Sequence, residues 1–154
     1  MKNVLIEAAE ALLSHLQTKT AEWGFPQTVV FRTWKPMVEV ENLSETQTTG
    51  TQIFVYPQDC DFARELVQGV EKTISLSVAM VAWVASSDNA TIDPLVEEFE
   101  TLQNHLAEVE QIFRNGQGYV FKSVQTVDCV EQNWLKNMNV VLFRIDVELE
   151  THVE

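Results

Sequence analysis

The sequence predicts an α+β fold: an antiparallel-rich β-sheet with two main helices on one face. Three observations predict it. In the closing segment, Asn139–Glu150, Val141, Phe143, Ile145, Val147 and Leu149 alternate with Leu142, Arg144, Asp146, Glu148 and Glu150, the period of a strand with one face buried and one wet. Two other segments repeat their apolar residues at steps of three and four, the helix period. The segments follow one another as α-β-β-β-β-α-β-β with no linker long enough to separate a pair of domains, so residues 1–154 read as a single unit.

The first helix runs from Asn3 to about Trp23, where Val4, Ala8, Leu12 and Leu16 form one stripe and Glu7, Glu10 and Gln17 take wetter positions. Gly24 ends it and Pro26 bars its continuation. Thr28–Trp34 is β-branched and aromatic, hence a strand. Pro36 interrupts it, and Met37–Leu43 resumes as a short edge strand or extended arm. Ser44–Gln52, polar and holding Gly50, reads as a loop. Ile53–Tyr56 is a strand ended by Pro57. Gln58–Gly69 is a second polar connection in which Phe62, Leu66 and Val67 have near-helical spacing.

Lys72–Val84 is a long strand with Ile74, Leu76, Val78, Met80, Ala82 and Val84 on one face. Its other face carries Ser75, Ser77, Ala79, Val81 and Trp83, small and only partly polar, and so suited to cover by a helix or another subunit. After a turn at Ser86–Ala90, Asp93 and Pro94 read as the cap and first residue of the second helix. Its stripe is Leu95, Phe99, Leu102, Leu106, Val109 and Phe113. Asn115–Gly118 stops that helix, Tyr119–Glu131 is a strand, and Gln132–Asn139 turns into the last one.

Charge narrows the function. Twenty-three acids against ten bases give a net charge of −13, which repels polyphosphate and argues against nucleic-acid binding by charge neutralisation. Cys60 and Cys129 form no CxxC pair and read as buried thiols of a reducing compartment. Glu7 and Glu10 interrupt the apolar start, so it lacks the pattern of a signal peptide. The apolar stretch Ile74–Ala85 is too short to span a bilayer. Asn42 and Asn89 open glycosylation sequons, which mean little without secretion.

Catalytic motifs are missing from the sequence. His15, His105 and His152 have no metal-ligand spacing, and the first two, on helices rich in acids, are expected to be exposed. Asp59-Cys60-Asp61 lacks the further oxygens and glycine of a calcium loop and reads as an Asx-stabilised turn. The Gly116/Gly118 pair follows a helix, the wrong context for a phosphate cradle. Glu97 and Glu98 point different ways, which leaves paired-carboxylate hydrolysis with little support. Trp83 and Trp134 fit core positions. Trp23 and Trp34 fit either burial or an exposed aromatic patch, burial being the commoner outcome. No catalytic residue, cofactor or metal is expected.

A family resemblance goes further. Phe31-Arg32-Thr33-Trp34-Lys35-Pro36, then Val38–Leu43, then Ile53-Phe54-Val55-Tyr56-Pro57 resemble the central signature of a tail-completion family of long-tailed phages, the tail terminators and head–tail joining proteins. Ala63-Arg64, the long strand Lys72–Val84, the run Ile92-Asp93-Pro94-Leu95-Val96-Glu97-Glu98 and the strand Val141–Thr151 follow in the same order. The long acidic helix and Trp134 depart from the pattern.

The resemblance implies a non-enzymatic structural protein of a phage or prophage tail, assembled in the host cytoplasm. Its copies would form a ring, commonly of six, that ends the tail tube and joins it to the head connector. The partners implied are further copies of the chain, the tail tube protein and the head connector protein, with neither a membrane nor a specific nucleic-acid sequence among them. The contact surface implied includes Arg32 and Trp34, with Thr48, Thr49 and Gly50 in the first loop and Arg64 in the second. Six copies at −13 each carry about −78, a field that lets DNA pass without sticking. The rival readings are a small acidic adaptor that docks a partner protein, and a metal-dependent hydrolase using Asp59 and Asp61.

Overall fold

Val4, Ala8, Leu12 and Leu16 do line one side of a helix, α1 (Val4–Glu22), and all four are buried. The computed structural model describes residues 4–23, 29–34, 51–66, 69–130, 135–136 and 140–153, with the backbone alone at 29, 61–66, 128 and 129. After α1 come β1 (Val29–Arg32), β2 (Thr51–Leu66), β3 (Gly69–Trp83), α2 (Asn89–Glu108), β4 (Gln111–Arg114), β5 (Gln117–Cys129) and β6 (Val140–Val153). The class is α+β. Among the described residues the order is α-β-β-β-α-β-β-β, which departs from the predicted one on both sides of α2. The predicted strand Met37–Leu43 lies outside the described residues.

The strands form one six-stranded sheet in the order β1-β2-β3-β6-β5-β4. It is mixed: β1 runs parallel to β2, and the other neighbours are antiparallel. A parallel pair needs a long crossover, and the stretch between Arg32 and Thr51 is long enough to supply one. The sheet also curls. β1 and β4 are its opposite edges, yet α1 packs on both. Glu7 meets Arg114 of β4 at 3.2 Å, while Glu10 meets Arg32 of β1 at 2.5 Å. Two residues one helical turn apart therefore reach both edges, and α1 sits in the trough between them.

Both helices bury their apolar sides on one face, as expected. Ile53 and Val55 of β2, Ile74, Leu76, Val78 and Met80 of β3, and Val141, Phe143, Ile145, Val147 and Leu149 of β6 form the floor of this core. Phe99, Leu102 and Leu106 anchor α2 to it, and the Phe99 ring stacks on Phe143 with centroids 4.4 Å apart. The alternation that predicted β3 and β6 is thus the alternation between this core and the opposite face. On that face Phe54, Tyr56, Ala79, Val81, Val140 and Leu142 form a second cluster with Trp83 against it. These residues are buried within one copy of the chain, so this half of the face needs no second subunit to leave water.

Four local expectations are corrected. First, β2 does not stop at Pro57 but continues to Leu66, and Thr51 and Gln52 belong to the strand rather than to a loop. Pro57 pairs with Leu76 beside a bulge at Gln58, where a missing N–H disturbs the ladder least. Phe62 and Leu66 therefore lie on a strand, Val67 falls outside the described residues, and Asp59-Cys60-Asp61 is strand rather than turn. The polar stretch Gln58–Leu66 is thus a strand and not a connection, with Gln58 and Asp59 exposed.

Second, α2 opens at Asn89, capped by Asp88, whose carboxylate accepts from the Thr91 N–H at 2.9 Å. Asp93 is not the cap, and Pro94 lies inside the helix. Third, Val109 ends α2, and Phe113 sits on β4 with 68% of its surface exposed. Fourth, Asn115-Gly116 is a hairpin turn, not a helix stop: Arg114 pairs with Gln117, and the turn residues have φ of 52° and 79°. Two successive positive φ angles suit the right-handed twist of a two-residue hairpin, and Asn-Gly adopts them with least strain.

Candidate partner-binding surface

β1 places the arginine–aromatic run. Val30 is buried and its carbonyl accepts from Gln17 of α1 at 3.3 Å, while Thr33 N–H donates to Val55 at 2.9 Å and prolongs the pairing with β2. Alternation then sends Phe31 to the far face, where its ring lies 5.7 Å from Phe54. Arg32 turns toward α1 and Glu10. Its guanidinium also lies over the Trp34 ring, 5.6 Å from the centroid, and Trp34 is 62% exposed. A cation over an exposed indole contributes about 0.5–1 kcal/mol; here it also holds a large aromatic surface facing water.

Trp23 and Trp34 do not form one patch. Trp23 packs edge-on against His105 with ring centroids 4.8 Å apart, whereas Trp34 stands out beside Arg32. Trp83 is half-buried on the far face, and Trp134 lies outside the described residues. Thr48, Thr49 and Gly50 are also outside them. Arg64 is placed by its backbone alone, opposite Glu71 on the β2–β3 ladder. The structure therefore brings together two residues of the expected surface, Arg32 and Trp34, and leaves Phe31, also partly exposed, on the opposite face of β1 against Phe54.

Beyond the apolar half, the far face becomes polar. An open cavity of about 340 Å³ lies there, lined by residues that include Gln58, Ser75, Ser123, Gln125, Asp146 and Glu148. Beside it the Gln58 amide donates to Ser77 Oγ at 2.6 Å, and Ser77 donates onward to Asp146 at 2.6 Å. Ser77 is thus tied to a carboxylate with no imidazole between them, an arrangement that fixes a side chain rather than activating a nucleophile. Among the described residues no three His, Cys, Asp or Glu side chains come together to hold a metal ion. No helix among them is long and apolar enough to cross a membrane.

Two titratable pairs were not visible in the sequence. A side-chain hydrogen bond with Glu71 holds the Glu150 pKa above the ordinary carboxylate range, with desolvation and the Glu71 charge adding to it, since a shared proton keeps both acids from ionising together. His15 and His105, expected to be exposed, are half-buried and joined Nε2 to Nε2 at 2.7 Å. Ninety residues separate them in the chain, and neither has a neighbour that would have signalled the other.

No protein-family model matches this chain, and no curated protein sequence does. Among solved structures it is similar to a chain from the virion of a native gene transfer agent particle, with a TM-score of 0.49 and 13% identity over 99% of both chains. A second solved chain is similar with a TM-score of 0.45 and 12% identity, over 100% of this chain and 96% of that one. Likeness at this level carries no conclusion about what the chain does.

Proposed function

We propose that this chain is a non-enzymatic structural protein of a phage-like particle, a tail terminator or head–tail joining protein whose copies assemble into a ring at the end of the tail tube. One observation carries the reading. Two residues of one segment that carries the resemblance, Arg32 and Trp34, stand together at the end of an edge strand, with the Trp34 indole exposed and the Arg32 guanidinium over it. Tryptophan and arginine dominate the binding energy of protein interfaces because they remove large areas from water at small entropic cost. The curled sheet and its trough helix give that pair a rigid base. The −13 charge restricts which surfaces can meet and keeps the ring from gripping DNA.

The test is assembly. Sedimentation and negative-stain imaging of the purified chain, alone and with tail tubes of the same particle, should show rings on tube ends. Trp34→Ala should abolish them while leaving the fold intact, as an interface anchor is worth about 2–4 kcal/mol. A chain that stays monomeric at high concentration and ignores tubes overturns the proposal and favours the adaptor reading.

A further inference from the structure

A direct side-chain hydrogen bond, His15 to His105, joins α1 to α2. α1 rests chiefly on β1, β2 and β4, and α2 on β5 and β6, so the helices share a core while standing on different strands, and this bond ties one to the other. The two imidazole rings lie 17° from parallel with centroids 5.0 Å apart. That separation equals the Nε2···Nε2 distance plus the two ring radii, so the rings meet edge to edge rather than face to face. Trp23, following the last turn of α1, closes the other side of His105.

We propose that His15 and His105 form a proton-controlled latch that ties α1 to α2 near neutral pH and releases it under mildly acidic conditions. Bond-making sets the order of events. In the neutral pair one Nε2 carries hydrogen and the other is bare, so one ring donates and the other accepts. A first proton enters at the Nδ1 of the donor ring, leaves the N–H···N bond in place and makes it charge-assisted. A second proton must occupy the accepting Nε2. Two N–H groups and two positive charges then face each other across 2.7 Å, and the bond is lost.

The surroundings set where this happens. Lys19 and Glu22 from α1 and Glu108 from α2 are the charges the pair feels. Burial lowers the pKa of both histidines; His105 lowers His15 further, and Lys19 lowers both, against the opposing pull of the two glutamates. A histidine whose pKa is lowered by folding stabilises the fold fully above its unfolded value. That contribution is lost as pH falls from the ordinary histidine range toward the folded pKa. Release is local, since Phe99, Leu102 and Leu106 keep α2 on the sheet.

The test is a pH titration of the full chain by imidazole NMR, with Trp23 emission measured against a Trp23→Phe control. Two coupled proton uptakes are expected, both below the ordinary histidine midpoint, with the change in Trp23 emission following the second. His105→Gln should move the His15 midpoint upward and remove the second-step emission change. Amide protection factors in Gln103–Glu108, corrected for the intrinsic pH dependence of exchange, should fall below the second midpoint in the parent chain and show no such step in the variant. Independent titration of each histidine at the ordinary midpoint, with the same His15 curve in His105→Gln, overturns the latch. So do protection factors in Gln103–Glu108 that stay constant across that pH range.

Discussion

Phe99 and Phe113 occupy the same apolar stripe in the sequence, and the structure gives them opposite fates. Phe99 is 2% exposed and stacked on Phe143, whereas Phe113 is 68% exposed on β4. Truncating Phe99 to alanine removes a buried aromatic side chain whose transfer from water is worth about 1.5–3 kcal/mol. It also forfeits a ring pair worth about 0.5–1.5 kcal/mol and leaves a cavity that the strands beneath cannot close. Together these place Phe99→Ala at about 3–5 kcal/mol, a large share of a typical stability of about 5–15 kcal/mol. At this chain length the melting temperature should fall by roughly 6–20 °C. Phe113→Ala should stay within about 0.5 kcal/mol. Urea unfolding of both variants at a concentration where the chain is monomeric decides it, through midpoints that move while the m-value holds. Equal losses in the two variants would mean that α2 continues past Glu108 and that the hairpin at Asn115-Gly116 is wrong.

Other perturbations probe the remaining joints. Gly69 has φ of +141°, and a Cβ there would lie 2.3 Å from the Val153 carbonyl oxygen; Gly69→Ala should therefore destabilise by about 1–3 kcal/mol, and an unchanged thermal midpoint would contradict the close approach of β3 and β6. Asp88→Ala should lower the stability of α2, and Thr91→Pro, which removes the donor, should do the same. The cap holds the Asp88 pKa below its ordinary value, so its contribution is present above the ordinary carboxylate range and lost as pH falls toward the folded pKa. Circular dichroism across that range, parent against Asp88→Ala, checks the sign. Glu150 runs the other way: with a raised pKa, the contribution of its protonated form fades as pH rises through that value. Glu71→Gln should bring the Glu150 titration down toward the ordinary range by carboxyl NMR and raise stability at neutral pH.

Much of the architecture was legible because burial follows short-range periodicity. The stripes of α1 and the alternation of β3 and β6 concern residues that are near each other in sequence and share one face. The errors cluster where one residue type serves two structures. Asp93-Pro94 carries the signal of a helix start, yet Asp88 with Thr91 makes the cap. Asn115-Gly116 stops a helix as readily as it turns a hairpin, and Phe113 continues the helical stripe by coincidence. Pro57 reads as a strand end unless a bulge is there to absorb it.

For the candidate surface, Arg32 and Trp34 were singled out by their order in the chain, but composition does not tell whether an indole is buried. The exposure of Trp34 follows from its place just past the end of edge strand β1, and Arg32 is held beside it by Glu10 of α1. Likewise, no pattern within α1 or α2 brings His15 to His105.

Local chemistry thus determined the fold class, the two buried helix faces, the strand alternation and the acidic surface, because each depends on neighbours within a few residues. Tertiary structure alone decided that β1 runs parallel to β2 and that the sheet curls until Glu7 and Glu10 touch its opposite edges. It also decided that two histidines share a hydrogen bond and that Trp34 faces water. Each of those outcomes depends on contacts between residues far apart in the chain, and their energies exist only once the strands have found their partners.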